Sequence, residues 1–595
     1  MARADLHVHS KHSNQPTEWL LRQVGAPESF TEPKEIYRRC RERGMEFVTI
    51  SDHDSIAGAL EIQHLPGTFL SCEVTVEFPE DGCEIHLLAT GIDERQHRDL
   101  QEIRRNVYEV RDYVRAQGIL HSVAHPLFRV NGRLTLDQVE KLLVLFDRFE
   151  ARNGMHDRRA NDLVHRIFGS LTPQIIESLA ERHRLEPFGS TPWIKSFTGG
   201  SDDHSGLYLG TTWTETPEAA TVEGFLGHLR AGRHAPGGET GSSARLLQSL
   251  YTITYEFYRR QFPFGWESRK DPFSTLLRGL ALQSLETPPP APVPAWRRRL
   301  WGWRAPQPPC PAERATFGSA SRASEKHLTR MLHDFVRHAR RGRLMEGLAA
   351  VSQLAPLALS IAPHLVAVHS LHKDADLLDA AGERFLGHRL EGRGGKRAWF
   401  TDTLTTAGAM ARLLAALPGP VPGGRVDAVE AVTCSPADGR AALPVHRFRT
   451  QMRVTLPGWE RRKLLLPPLL EVIDRCETER YAEIVISTPG PFGLLGVAAG
   501  KLLGIPVTAV WQEDLPARVL AATRSETLEE MTWTYLRRLF GQAGRIWVPS
   551  RREHDALVAH AFAPERISLL PGRTARPESV VLPPSWDGVR VQVAV

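Results

Sequence analysis

Six short stretches of this 595-residue chain carry residue types that bind metal ions. DLHVHS at 5–10 holds His7 and His9, and SDHDS at 51–55 holds His53 between Asp52 and Asp54. Glu73 follows TFLSC, His86 lies in EIHLLAT, His125 follows ILHSVA, and GGSDDHSG sets Asp202 and His204 two residues apart. Leu6 and Val8 alternate with His7 and His9, which is a strand pattern. Period two throws both imidazoles onto one face, where two ring nitrogens can reach one ion. A carboxylate such as Glu73 can bridge two cations while neutral imidazoles complete their shells. A mixed His/Asp/Glu set suits zinc, manganese or iron more than magnesium or calcium. Ions a few ångströms apart lower the pKa of a bridging water and clamp a phosphoryl oxygen. The same ligands serve amide hydrolysis and deamination, so the residue types alone give metal-assisted hydrolysis and no narrower class. Taken singly, each residue also fits a structural role: a helix cap for His53 or His125, a core histidine for His86, a turn for Asp202. The set argues for metal.

The elements that must position these residues can be read from punctuation. From residue 1 to about 240, short apolar runs (FVTI at 47–50, IHLLAT at 85–90, ILHSVAH at 119–125) alternate with charged helical stretches such as RDLQEIRRNVYEVRDYVRAQG at 98–118. That is α/β alternation, and each candidate ligand falls at or near a strand terminus, where active sites of such folds lie. A mostly helical region, 241–394, follows. It is interrupted at about 287–311 by TPPPAPVPAWRRRLWGWRAPQPPCP, whose proline density excludes a packed helix or central strand. From 395 to 595 the α/β rhythm resumes as a Rossmann-like sheet. No fixed-period repeat is present.

The ordered set DLHVHS, SDHD, Glu73, His86, AHP and SDDH resembles the PHP (polymerase and histidinol phosphatase) family over about residues 1–240. The resemblance implies a distorted (β/α)7 barrel with up to three metals at the C-terminal strand ends. Carried over by motif, it implies that His7, His9, Glu73 and Asp202 hold one metal, that Glu73, His86 and His125 hold a second, and that His53 and His204 hold part of a third. The family usually places a His or Asp shortly after the first motif, where this chain offers His12, Asn14 and Gln15. Among nearby cations, Arg129, Arg133, Arg152 and Lys195 are candidates for holding substrate phosphate.

The last third resembles something else. KRAWFTDTLTTAGAMARLLAAL and PGPFGLLGVAAGKLLGIPV each run strand, glycine turn, apolar helix, an order that brings backbone close to a phosphate or sugar or simply packs helix on strand. No Walker lysine or complete dinucleotide fingerprint is present. With FTDT, WQEDLP and RIWVPSRREHDAL, the stretch 395–575 resembles the N-terminal, acceptor-side half of GT-B-type glycosyltransferases. It departs from them at Ala407-Gly408-Ala409, where they often carry Asn-Gly-Val, and at Gln512, where they often carry His. Such enzymes bind the nucleotide sugar mainly in a second Rossmann domain. This sequence stops soon after LLPG, so a donor site is expected only from a partner subunit.

Between these parts, Gly347 to His372 holds no Asp, Glu, Lys or Arg. It is long enough to span a bilayer, and is equally explained by packed helices broken at proline. Trp296, Trp301 and Trp303 among arginines at 296–304 suit a lipid headgroup boundary, a nucleic-acid surface or a solvated loop. The net charge of +5, from 74 basic and 69 acidic residues, does not announce a nucleic-acid binder. Six scattered cysteines without Cys-x-x-Cys spacing suggest neither a disulfide framework nor a thiolate zinc site. No basic segment with an apolar run precedes Asp5. A cytoplasmic protein is expected, with peripheral membrane contact through 296–304 as an option.

The sequence therefore predicts a phosphate-ester hydrolase with two or three divalent transition metals (Zn2+, Mn2+ or Fe2+). Glu73 is expected at its centre, with His53 or His204 binding a third ion or protonating the leaving oxygen. The expected substrate is a small phosphorylated molecule or a nucleic-acid end. Two rivals stand: a glycosyltransferase with a regulatory barrel, and a scaffold with structural metals.

Overall fold

The structure, a computed structural model, describes residues 1–13, 22, 25–261, 354–388, 395–404, 428–435, 443–455, 463–512 and 514–570. The Pro-rich stretch, the 296–304 tryptophans, Asn14, Gln15, the 407–409 turn and residues 347–353 lie outside these. The chain divides into two units. The first is Met1–Ser324 with Gln353–Leu390, and the second is Glu325–Ser352 with Glu391–Val595.

In the first unit, β1 (Ala2–Ala4) leads into an extended stretch containing His7 and His9. Helices α1 (Pro33–Glu42) and α2 (Ala57–Ile62) flank a second extended stretch at 47–53. The hairpin β2 (Ser71–Phe78) and β3 (Cys83–Thr90) follows, then α3 (Glu94–Ile103) and α4 (Val107–Gln117), then β4 (Leu120–Val123). After α5 (Leu136–Leu145) come β5 (Arg148–Asn153), α6 (Arg158–Gly169), α7 (Pro173–His183) and β6 (Ser196–Gly200). The unit continues with β7 (Thr212–Thr216), α8 (Val222–Arg230), β8 (Ala235–Gly238), α9 (Ser243–Gln261), α10 (Leu354–His372) and α11 (Ala375–Leu386).

Five strands form one sheet in the order β2-β3-β4-β5-β6, with β4, β5 and β6 parallel. The two extended stretches close it. Val8 bridges Asp203 just beyond β6, the Ser51 amide donates to Val8 O at 2.8 Å, and His53 bridges Glu73 on β2. Five strands and two extended stretches thus make seven staves of a ring, with the C-terminal ends of β4, β5 and β6 at one mouth. This is the expected barrel, although neither FVTI nor DLHVH forms a full strand. The alternation holds as well: Leu6 and Val8 sink into two core clusters, while His7 and His9 turn the other way. Strands β1, β7 and β8 form a separate antiparallel sheet.

The expected boundary at 240 and the separate middle region need correction. Helices α9, α10 and α11 belong to the first unit. Leu247, Leu250 and Tyr251 of α9 share a core cluster with Ala367 of α10, and Leu377, Leu378 and Ala381 of α11 join the main barrel core. Apolar faces repeating at three and four residues must be covered, and these helices cover each other and the barrel. Helix α10 runs through Pro363 rather than breaking there. Among the described residues, no helix is long and apolar enough to cross a membrane.

The second unit contains β9 (Lys396–Phe400), β10 (Ala428–Thr433), β11 (Val445–Arg447), the hairpin β12 (Met452–Thr455) and β13 (Lys463–Leu466), α12 (Leu469–Glu479), β14 (Glu483–Ile486), α13 (Pro491–Leu503), β15 (Val507–Val510), α14 (Leu515–Thr523), α15 (Glu526–Phe540), β16 (Arg545–Val548), α16 (Arg551–Ala559) and β17 (Ile567–Leu569). Its seven-stranded sheet is parallel throughout, in the order β11-β10-β9-β14-β15-β16-β17. The order reverses between β9 and β14, which places a crevice at their C-terminal ends, as in doubly wound folds.

Candidate metal centre

His7, His9, Glu73, His86, His125 and Asp202 meet at the barrel mouth, with His53 and His204 beside them. Glu73 stands at the centre. Its Oε2 lies 3.1 Å from His7 Nε2, 3.2 Å from His9 Nε2 and 3.1 Å from His53 Nδ1. Its Oε1 lies 2.9 Å from His86 Nδ1 and 3.3 Å from His125 Nε2. Asp202 Oδ1 is 3.3 Å from both His7 Nε2 and His9 Nε2. The two oxygens of Glu73 therefore face two different sets of imidazoles.

These atoms converge without bonding to one another. His7 Nε2, His9 Nε2, His86 Nδ1, His204 Nε2 and both Glu73 oxygens are buried and make no hydrogen bond among the described residues. Leaving so many polar atoms unmade is costly unless something else satisfies them. Ligands about 2.0–2.2 Å from a shared transition-metal ion lie about 3.0–3.5 Å from each other, and the observed separations are of that size. The residues present fit divalent metal binding.

The surrounding shell orients them. Glu150 Oε1 lies 2.9 Å from His7 Nδ1, which turns His7 Nε2 toward Glu73. Ser13 Oγ lies 3.0 Å from His9 Nδ1 and donates to Asp52 Oδ1, so Asp52 acts on His9 through Ser13. Asn153 Nδ2 donates to Asp202 Oδ2 at 3.0 Å and to Glu150 Oε2 at 2.8 Å. Close chain approach makes this possible, since a Cβ on Gly200 would run into the His7 side chain. His125 (φ 30°) and Asp202 (φ 54°) both hold left-handed backbone, a strain of order 1–3 kcal/mol each that functional sites commonly retain.

Electrostatics point the same way. Burial works against ionised Glu73 and Asp202, but the imidazoles around them, His7 foremost, outweigh it and hold both well below the usual carboxylate range. Burial lowers His86 and His204, favouring the neutral imidazole that a metal ligand must be. Burial also opposes protonation of His53, yet Glu73 and Glu28 raise it to about 10. The cluster demands positive charge. Protons or cations can supply it.

Sequence reasoning missed Glu28. Its Oε2 is 3.1 Å from His53 Nε2 and its Oε1 is 3.6 Å from His204 Nε2, so it stands where the third group lacked a carboxylate. His12 does not fill that place: its Nε2 lies 2.7 Å from Glu61 Oε1 at the surface. His156, also missed, is half-buried between His125 and Phe128, with ring centroids at 4.9 and 4.4 Å. No spacing signal marks either residue, because each arrives from a loop whose path depends on the fold.

The four candidate phosphate-binding cations lie elsewhere, and that expectation is corrected. Arg129 holds Asp376 through both terminal nitrogens at 2.6 and 2.9 Å and so docks α11. Arg133 donates to Asp81 O and Arg152 to Gly238 O, each at 2.7 Å. Lys195 sits beside the N-terminal end of β6, opposite the mouth, and donates to Leu143 O and Phe146 O at 2.6 and 2.7 Å. Each satisfies backbone or a helix rather than the cluster.

In the second unit, the crevice between β9 and β14 holds Asp402. Its Oδ2 accepts from Thr488 Oγ1 at 2.5 Å and its Oδ1 from the Phe492 amide at 3.1 Å, at the start of α13. A Cβ on Gly490 would collide with this carboxylate. The glycine turn thus packs around Asp402, which takes the helix N-terminal position a phosphate would use.

Residues 422–572 match Glycosyltransferase Family 4. The match lies wholly within the second unit and agrees with the half-fold read there. A further alignment, 37% identical over 67 residues, is to an uncharacterized protein of Methanocaldococcus jannaschii. It takes in 11% of this chain and 37% of that protein, so it spans little more than a third of the relative's length. A crystal structure described as a "putative metal-dependent phosphoesterase" from Bifidobacterium adolescentis is 16% identical, with a TM-score of 0.22, covering 36% of this chain and 90% of that one. So low a TM-score carries no weight, and the case for metal rests on the side chains.

Proposed function

We propose that the first unit is a metal-dependent hydrolase of phosphate esters. The observation that carries this reading is Glu73, buried, with each oxygen facing its own set of imidazole nitrogens. His7, His9, Glu73 and Asp202 would hold one ion, and Glu73, His86 and His125 a second. His53 and His204, joined by Glu28, would hold a third. When bound, such ions polarise a phosphoryl oxygen and lower the pKa of water. The protein's own part is positional. Glu150, Ser13 and Asn153 fix the ring and carboxylate orientations, and the barrel wall keeps the group dry. His204, neutral through burial, stands at the mouth beside Glu28, where it would serve the third ion or the leaving oxygen. The test is metal analysis together with hydrolysis of a generic phosphomonoester and phosphodiester. Activity lost on metal removal and restored by adding Mn2+ or Zn2+ supports the reading. Full activity in chelator sinks it.

A second reading has one observation behind it, the family match at 422–572. Under it the second unit would bind a sugar acceptor or nucleotide sugar, with a partner subunit supplying donor-binding groups. Asp402 argues against phosphate at the crevice. Calorimetry with common nucleotide sugars decides, since micromolar donor binding, about 8 kcal/mol, would favour transfer.

A further inference from the structure

Three hollows adjoin the cluster, and they differ in size and lining. One of about 30 Å3 lies between His125, His156 and Asp374. One of about 80 Å3 is walled by Leu246, Leu250 and Ile253 of α9 and Leu371 of α10. The third, of about 860 Å3, opens beside His53 and His86 and is lined by Arg22, Arg104 and Arg105 together with Asp54, Glu77 and Glu84. Sites for small molecules run to about 300–1,000 Å3, and of these three only the last is large enough for the body of a substrate. The apolar side chains of α9 and α10 line the smaller hollow, which also borders His53 and His86. A phosphodiester inside a long polymer needs room for chain on both sides of the scissile bond, and of these three hollows one offers such room.

The lining indicates what the substrate carries. Arg104 is held by Asp54 at 3.2 Å and by Thr75 O at 3.3 Å. Arg105 is exposed and makes one ion pair, with Glu77 at 3.1 Å. An exposed pair of this kind is worth about 0–1 kcal/mol, so an incoming anion can take the place of Glu77. Arg22 is exposed on the same rim. Guanidinium forks match phosphate and carboxylate oxygens in pairs.

We propose that the cavity beside His53 and His86 receives the leaving group of a small or terminal phosphate ester, and that Arg22 and Arg105 at its rim recognise a second anionic group on that leaving group. The proposal rests on the hydrolase reading for where the scissile phosphoryl sits. The test is calorimetry on the metal-loaded full chain with adenosine 5′-monophosphate and adenosine 5′-diphosphate, alongside hydrolysis assays with p-nitrophenyl phosphate and circular single-stranded DNA. The diphosphate is expected to bind at least tenfold tighter than the monophosphate. Arg105→Ala and Arg22→Ala should each cut that ratio at least threefold with metal content unchanged, and circular DNA should stay intact. A ratio near one in the native chain, a ratio unmoved in both variants, or circular DNA cut as fast as the nitrophenyl ester would overturn the proposal. An arginine-dependent ratio without any hydrolysis would keep the anion site and overturn the hydrolase reading. Hydrolysis with an arginine-independent ratio would do the reverse.

Discussion

At Glu73 both carboxylate oxygens are buried and meet only imidazole nitrogens, without hydrogen-bond geometry. At Asp402, also set beside strand ends, the chain's own donors, Thr488 and the Phe492 amide, take both oxygens. Each carboxylate sits where its fold usually places ligands, yet only one is left wanting a partner. Unmade buried polar atoms cost free energy that folding must recover from elsewhere, so they mark where something binds. Satisfied ones mark structure. Burial raises the pKa of Asp402, which has no cation among its main influences within the described residues, whereas the histidines around Glu73 drive its pKa down. Strand ends alone therefore do not identify a site.

Several changes would break or sharpen this contrast. The largest effect is expected from Glu73→Gln, which disturbs both proposed ions: hydrolysis should fall by about a thousandfold or more and exceed the loss from any single histidine change, checked by kcat and metal content. Losses no greater than those of His12→Ala and Arg133→Ala would show that the centre is misplaced. Glu28→Gln should remove one ion and cost about 10–100-fold, leaving the other ions bound. Acid should weaken metal binding. His7 and His53 are raised by their carboxylates, so a proton must leave before a cation enters, and affinity should fall about tenfold per pH unit for each proton displaced. A titration in which affinity holds steady from pH 8 to 6 would contradict that. Asp402→Ala should cost about 1–3 kcal/mol of second-unit stability in a denaturant melt and leave metal and hydrolysis untouched. Among changes in the first unit, the smallest catalytic effect is expected from Lys195→Met, within twofold in KM, since Lys195 lies away from the mouth.

Much of the His/Glu/Asp cluster was legible because its members come in pairs with meaning. His7 and His9 alternate with core residues, and Asp202 and His204 follow a glycine pair that lets the chain pass close to His7. Glu28, Glu150 and His156 were not legible, for they depend on how loops and a neighbouring strand return to the mouth. The cations failed for a related reason. Position in sequence placed Arg129 and Lys195 near the motifs, but it did not show that α11 and the α5–β5 turn claim them first. Domain limits differ where apolar helices beyond residue 240 looked independent, while α9 and α10 share a core cluster within the first unit and α11 joins the main barrel core. In the second unit the parallel sheet could be read from strand–helix rhythm, but the role of its glycines could not, since only the structure brings Asp402 to Gly490.

The account stands or falls most directly on elemental analysis of the full chain, purified without chelator, beside a His7→Ala, His9→Ala double variant whose helical content is checked by circular dichroism. The hydrolase proposal predicts two or three equivalents of transition metal in the native chain and at least one fewer in the folded variant. Native protein with no transition metal, or a folded variant that keeps the full complement, would contradict it.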